Sequence, residues 1–197
     1  MARPSEFDRQ KAVQSAMRQI WRDGYEATSV KHLAEQLGIT RSSFYNAFGT
    51  REDLFREAIV AYQALLPRFP KARGADERVL PRLTAFFRAH CAFHAENGWR
   101  GCLIANCVVE LCSPKGELDK ELTRCVERSV DWFQGLVNAA KRTGEITQSR
   151  DSHEIALALQ SLMMGLSALA KATRDEQAIW KMTKATLTGL GLYAAQR

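Results

Sequence analysis

Residues 28–53, TSVKHLAEQLGITRSSFYNAFGTRED, limit what this chain can fold into more than any other stretch. Val30, Leu33, Ala34 and Leu37 recur at i, i+3, i+4 and i+7, which predicts a short helix with one apolar stripe. Thr28 or Ser29 can cap its start, and Gly38 supplies the left-handed residue that ends it. Ile39 plugs the turn, and Thr40 caps a second helix in which Phe44 and Phe48 point inward. The other face of that helix carries Ser42, Ser43 and Asn46, flanked by Arg41 and Tyr45. Ala34 is small enough to let the two helices cross closely. Thr50, with Asp53 three residues on, opens a third helix whose positively polarised end carries Arg51.

Periodicity of this kind fits any helical hairpin, so the outer face has to decide the reading. It lacks the long Glu and Lys side chains that usually solvate an exposed helix and carries short hydrogen-bonding groups instead. Such a face, backed by an inward aromatic pair, suits a helix that enters the major groove. Tyr45 offers a hydroxyl, and Thr50 and Arg51 a helix end, to backbone phosphates. The motif, at about 29–48, therefore reads as a DNA-binding helix-turn-helix.

Helical patterns fill the rest of the chain. Ser5 can cap the first helix with Asp8 completing a capping box, and Ala12, Val13, Ala16, Met17, Ile20 and Trp21 form its inner face up to Gly24. A fourth helix runs from Thr50 to about Leu66, and Pro67, Pro70 and Gly74 then mark a loop. A long helix is predicted from about Asp76 to Glu96, with Pro81 tolerated in its first turns. Asn97-Gly98 closes it. A shorter segment, Cys102 to Cys112, leads to the break at residues 113–116, and Glu117 to Arg142 forms the next helix, ending at Gly144. The pattern predicts an all-α protein.

The last two helices suggest assembly. Asp151 opens one, which is apolar nearly all round: Leu157, Leu159, Leu162, Met163, Leu166 and Leu169 cover more than one face. Such a helix must be buried on both sides, by its own domain and by a second subunit. The final helix, Glu176 to Ala195, offers Ile179, Met182, Thr183, Leu187, Leu190 and Tyr193, with Gly189 and Gly191 permitting close approach.

A chain of 197 residues with 46% hydrophobic content can bury a core, and its formal charge of +6 is compatible with a nucleic-acid partner. The excess is modest and spread out, so any positive patch must come from placement in three dimensions. MARPSEFDRQ is no signal peptide. Ile155 to Ala170 reads as too short and too broken to span a bilayer. The expectation is a soluble cytoplasmic protein, without a membrane contact.

Phe7 to Tyr62 resembles the DNA-binding domain of the TetR family of bacterial transcriptional regulators. The resemblance rests on Gly24-Tyr25, Thr28-Ser29-Val30, Leu33-Ala34, Leu37-Gly38-Ile39, Phe44-Tyr45, Phe48 and Leu54-Phe55. It implies an N-terminal three-helix helix-turn-helix domain, residues 1–49, and a C-terminal helical bundle for ligand sensing and dimerisation, residues 50–197. Thr40, Arg41, Ser42, Ser43 and Asn46 would then face bases, while Thr28, Tyr45 and Arg51 hold phosphates, with Ser29 and Thr50 at the adjoining helix starts. One departure is Gly49-Thr50-Arg51, where many members carry a polar residue followed by Ser-Lys; Arg51 keeps the charge. The last two helices of each subunit would build a four-helix homodimer interface. Two recognition helices about 34 Å apart would then read a palindromic operator in double-stranded DNA. The implied function is a repressor released by an effector, with no cofactor and no catalysis.

The effector is the less legible part. Cys91, Cys102, Cys107, Cys112 and Cys125 form no CxxC pair and sit in apolar helical contexts, as buried core cysteines do. Cys102 differs, because Trp99-Arg100-Gly101-Cys102-Leu103 places it at a helix start beside an arginine, where a thiol pKa is expected to fall. RGCLIANCVVELCSPKGEL also resembles the branch that includes the repressor of N-ethylmaleimide reductase, whose members use a cysteine in this context to answer electrophiles and reactive chlorine. Gly165 to Lys171 resembles the same branch, which would make Lys171 a basic neighbour of the thiol. The competing expectation is a small apolar effector held among Phe86, Phe87, Phe93, Trp99, Trp132, Phe133, Met163 and Met164. His90 and His94 have i, i+4 spacing compatible with zinc, but with no fourth ligand they read as solvated or capping residues and no metal is expected. Two other classes are weighed: a cysteine-dependent enzyme, for which no nucleophile elbow or phosphate cradle exists, and a helical scaffold module, which would leave the face of residues 41–46 without a purpose.

Overall fold

The computed structural model describes residues 8–71, 78–111 and 117–195, which among them form nine α-helices and no strand. Three short helices come first: α1 (Arg9–Asp23), α2 (Val30–Leu37) and α3 (Arg41–Phe48). Their local starts and stops follow the expected chemistry. Ser29 caps α2 by accepting from His32 N–H, Gly38 takes the left-handed conformation at φ 64°, and Thr40 caps α3 by accepting from Ser43 N–H. Leu33, Ala34, Phe44 and Phe48 are buried with Ala12, Val13, Ala16 and Leu54 in a small core of their own.

Helix α4 (Arg51–Gln63) starts on a complete capping box between Thr50 and Asp53. It belongs to two cores. Leu54 faces the three-helix core, while Phe55, Ala58, Ile59 and Tyr62 join Met17, Ile20, Trp21, Phe93, Leu103 and Leu122 in a second one. Helices α5 (Val79–Glu96), α6 (Leu103–Glu110), α7 (Glu117–Arg142), α8 (Ser152–Thr173) and α9 (Glu176–Gly189) build the remainder. Helix α8 packs against α5, α7 and α9, and its Ile155, Ala156, Leu159 and Leu162 share the largest core with Phe87, Phe133, Val137 and Leu187.

Several boundaries differ from expectation. Helix α1 starts at Arg9 with Asp8 itself as the cap, accepting from Lys11 N–H; Ser5 lies outside the described residues. Asp76, Gly74, Cys112 and residues 113–116 also lie outside them. Helix α9 stops at Gly189 rather than at Ala195, because Gly191 turns left-handed at φ 69°. Leu192 then folds back into the core, and Ala194 N–H donates to Thr84 Oγ1 at 3.1 Å. Gly191 therefore ends the helix. Helix α8 is also longer than its apolar run, 22 residues, and by length and composition alone it is apolar enough to cross a membrane. Its buried face against α5, α7 and α9 marks it as a core helix, so the length argument against a span is replaced by a packing one.

Candidate nucleic-acid interface and helical-domain cavity

The outer face of α3 is built as the spacing predicts. Arg41, Ser42, Ser43, Asn46 and Thr40 are exposed, and Tyr45 is 52% exposed. Arg41, Ser42 and Asn46 make no side-chain hydrogen bond to the described residues, which leaves their donors and acceptors for a base edge. Thr40 and Ser43 are bound to each other, hydroxyl to hydroxyl at 2.9 Å, which stiffens the helix start that would meet DNA.

Of the residues expected at phosphates, Thr28 is committed elsewhere and Arg51 partly so. Thr28 is buried, and its hydroxyl donates to the Gly24 carbonyl at 2.6 Å, so it fastens the α1–α2 turn rather than facing solvent. This corrects the expectation for Thr28. Arg51 keeps its charge but lies over the Tyr25 ring at 4.0 Å, with its side chain only 22% exposed and Glu26 at 3.7 Å. Its place is that of a brace between α4 and the α1–α2 turn, with one edge open.

The helical domain holds a half-open cavity of about 370 Å³, walled in part by α4 and the segment after it. That volume sits at the lower end of small-molecule pockets. Among the expected effector residues, Trp132, Phe133, Met163 and Cys102 line it; Phe86, Phe93 and Met164 do too. Trp99 does not: at φ 60° it packs on the cluster of Cys91, Leu166, Ala170 and Ile179. Phe87 lies in the core beside the cavity, stacked on Phe133. Lys171 lays its stem against Gly101 and is also not in the wall.

Cys102 is the N-cap of α6, as its position in the sequence suggests. Its thiol, however, is pushed above the ordinary value by burial, against the opposing pull of Ala105 and Ile104 N–H. The expected activation is therefore reversed: loss of water outweighs the helix end. Cys107 and Cys125 are also raised by burial.

His90 and His94 are the residues that the sequence misjudged most. Neither is solvated; they are 6% and 2% exposed and line the cavity on successive turns of α5. Their signal was present in the shared face with Phe86 and Phe93. Burial lowers His90 to about 3 and His94 to about 4, so both are neutral imidazoles at neutral pH. No group of three or more metal-ligating side chains occurs among the described residues. A pH dependence follows. Each folded-state pKa lies below the unfolded value near 6.5, so below that pH the unfolded chain binds protons that the native state refuses. Stability is expected to fall as pH drops from about 6.5 towards about 3, most of the His94 share by about 4. Chemical denaturation of wild type and the His90→Phe/His94→Phe double variant at stepped pH checks this. Parallel curves for the two would show that these histidines are not the source.

One short helix joins the cavity and the α1–α2 turn of the helix-turn-helix domain. The N-terminal end of α6 supplies Cys102, Ile104 and Ala105 to the cavity wall, and Trp21 Nε1–H of α1 donates to the Gly101 carbonyl just before it at 2.9 Å. At its other end, the Glu110 carboxylate accepts from Tyr25 N–H at 3.0 Å and Glu26 N–H at 2.8 Å, in the α1–α2 turn. A Cβ at Gly24 would meet that carboxylate at 2.8 Å, so the glycine makes the contact sterically feasible. Sequence reasoning found neither end, because both partners of Glu110 are backbone groups 85 and 84 residues away.

Comparison with known proteins agrees with this layout. A profile described as bacterial regulatory proteins, tetR family, matches residues 12–58, and one described as tetracyclin repressor-like, C-terminal domain, matches residues 79–186. The uncharacterized HTH-type transcriptional regulator YezE of Bacillus subtilis is 28% identical over 89% of this chain and 92% of its own length. The HTH-type transcriptional repressor ComR of Escherichia coli is 27% identical over 94% of this chain and 90% of its own. Among solved structures, a cysteine mutant of the regulator CifR complexed with 26 bp operator DNA superposes with a TM-score of 0.81 at 26% identity, covering 95% of this chain and 98% of that one.

Proposed function

Because the chain belongs to the TetR family of bacterial regulatory proteins and is a helix-turn-helix transcriptional regulator, we propose that it is a homodimeric cytoplasmic repressor released from its operator by a small molecule in the helical-domain cavity. The observation that carries the reading is the α6 connection, which ties the cavity wall and the α1–α2 turn to one rigid element. Thr40, Arg41, Ser42, Ser43 and Asn46 face bases; Tyr45, the α4 start at Thr50 and the open edge of Arg51 hold phosphates, with Ser29 beside them. The division of the chain at residue 49 places the reading head before α4, and α4 serves both cores. The relatives are regulators of transcription, and the reading needs no catalytic step.

Dimerisation is supported by the outward face of α8. Leu157 is 48% exposed there, in line with exposed Ser161, Gly165 and Ala168. A surface of one large apolar residue among small ones lets two helices approach closely. Ligand entry that displaces α6 then shifts the α1–α2 turn in each protomer. The two recognition helices lose the spacing of successive major grooves, and the second contact is lost with it. Cys102 enters as cavity wall and α6 cap, and its unactivated thiol favours a bound effector over thiol modification.

The test starts from an operator obtained by selection on random duplexes. Tyr45→Ala is expected to weaken binding to all duplexes alike while leaving the salt dependence unchanged, since it removes an uncharged phosphate contact. Asn46→Ala is expected to relax preference at one position per half-site by about 1–3 kcal/mol. An unchanged preference profile for Asn46→Ala would remove it from the reading face. Glu110→Ala tests the connection: effector affinity should hold, while the effector-induced change in operator affinity, about 1–3 kcal/mol in such couplings, should fall by at least half. A full response from this variant would place the transmission elsewhere.

A further inference from the structure

Within that cavity, we infer a ligand class from the protons that the protein does not supply: a neutral, largely apolar molecule carrying hydroxyl donors. This rests on the cavity being the effector site. The tautomers of both histidines are determined by their partners. The Pro67 carbonyl, which can only accept, is the polar group that acts on the His90 ring, while Nε2 is buried without a partner; a ring proton on Nδ1, towards that carbonyl, leaves Nε2 a bare acceptor. Ser167 Oγ donates to the Met163 carbonyl at 2.9 Å and therefore meets His94 Nε2, at 3.4 Å, as an acceptor. His94 Nε2 then holds the ring proton, and Nδ1 is the second bare acceptor, also without a partner.

Two unpaired acceptors one helical turn apart in a mostly apolar wall are costly to leave unmet. A hydroxyl proton from a ligand satisfies each. The Tyr62 hydroxyl is the third orphan: it lies beside the Cys102 thiol and Leu103 N–H but meets neither in hydrogen-bond geometry. It is free to donate to a ligand oxygen, so a single ligand hydroxyl can both give and receive there. A carboxylate fits badly, because it brings no proton to the imidazoles and would face their lone pairs. An ether of the same shape fills the space and leaves the acceptors bare.

The experiment uses the full-length protein and four probes: 4-hexylresorcinol, its monomethyl ether, its dimethyl ether, and 4-hexylbenzoate. Binding is read by calorimetry, and operator release in the same buffer. The diol is expected to bind most tightly, with about a tenfold loss for each methylation. In His90→Phe and in His94→Phe the gap between diol and monomethyl ether should shrink to less than threefold while dimethyl ether affinity holds. Equal affinity of diol and dimethyl ether for wild type would overturn the donor requirement and leave the cavity reading standing. Tightest binding by the benzoate would overturn it in favour of an anion. Absence of binding by all four would overturn both the ligand class and the cavity as effector site. Binding of the expected order without operator release would keep the ligand class and remove the effector role. Should either histidine variant fail to fold, the wild-type ether series alone decides.

Discussion

Phe44→Ala is expected to abolish operator binding while leaving most of the helical domain folded. Phe44 has no exposed surface, and its ring packs on Phe48 at 5.3 Å with Leu33, Ala34 and Leu54 around it. Truncating a buried phenylalanine to alanine costs about 3–5 kcal/mol, from lost burial and the cavity left behind. The three-helix core is small, so that loss is a large share of what holds α2 and α3 in place. Helix α1 should survive in part, because Met17, Ile20 and Trp21 are anchored in the second core with Phe55 and Tyr62. The expected result is therefore a two-step thermal melt by circular dichroism, with the early step matching the helical content of α2 and α3, and no measurable operator shift. A single transition with native operator affinity would show that α3 does not depend on this core.

The second large effect is expected from a substitution that ought to be harmless to the monomer. A Cβ at Gly165 would meet nothing within 4 Å, and its backbone is ordinary helix. Leucine has a higher helix propensity than glycine by about 1 kcal/mol, so Gly165→Leu should leave the subunit as stable as before or more so. The same side chain projects from the α8 face that includes Leu157, where the partner's helix would have to come close. With the proposed dimer interface on this face, light scattering should show the wild type as a dimer and the variant as a monomer at the same concentration. Operator affinity should fall at least a hundredfold, because two half-site contacts no longer act as one. A variant that stays dimeric and binds normally would move the subunit interface off this face of α8.

The helix-turn-helix was legible because its determinants are local. Ser29, Gly38, Thr40 and the Thr50–Asp53 box each act within four residues, and the structure finds every one in its expected role. The exposed face of α3 follows from the same periodicity, since Phe44 and Phe48 can point only one way once buried. Where the reading failed, the deciding partner was remote or the deciding quantity was burial. Thr28 looked like a free hydroxyl until the turn folded it back onto Gly24. Cys102 was correctly placed at a helix start, yet that local effect is outweighed by desolvation on burial.

Sequence by itself determined the helical class, the reading head and the family, because caps, left-handed glycines and apolar periodicity are interactions between near neighbours. Only the tertiary structure decided what the helical domain offers a ligand. Nothing in the spacing of His90 and His94 says that both are buried, neutral and short of a proton donor. Nor does it say that Glu110 closes on backbone amides of the α1–α2 turn. Dielectric environment and long-range backbone partners are properties of packing, and they appear only when elements distant in the chain come together.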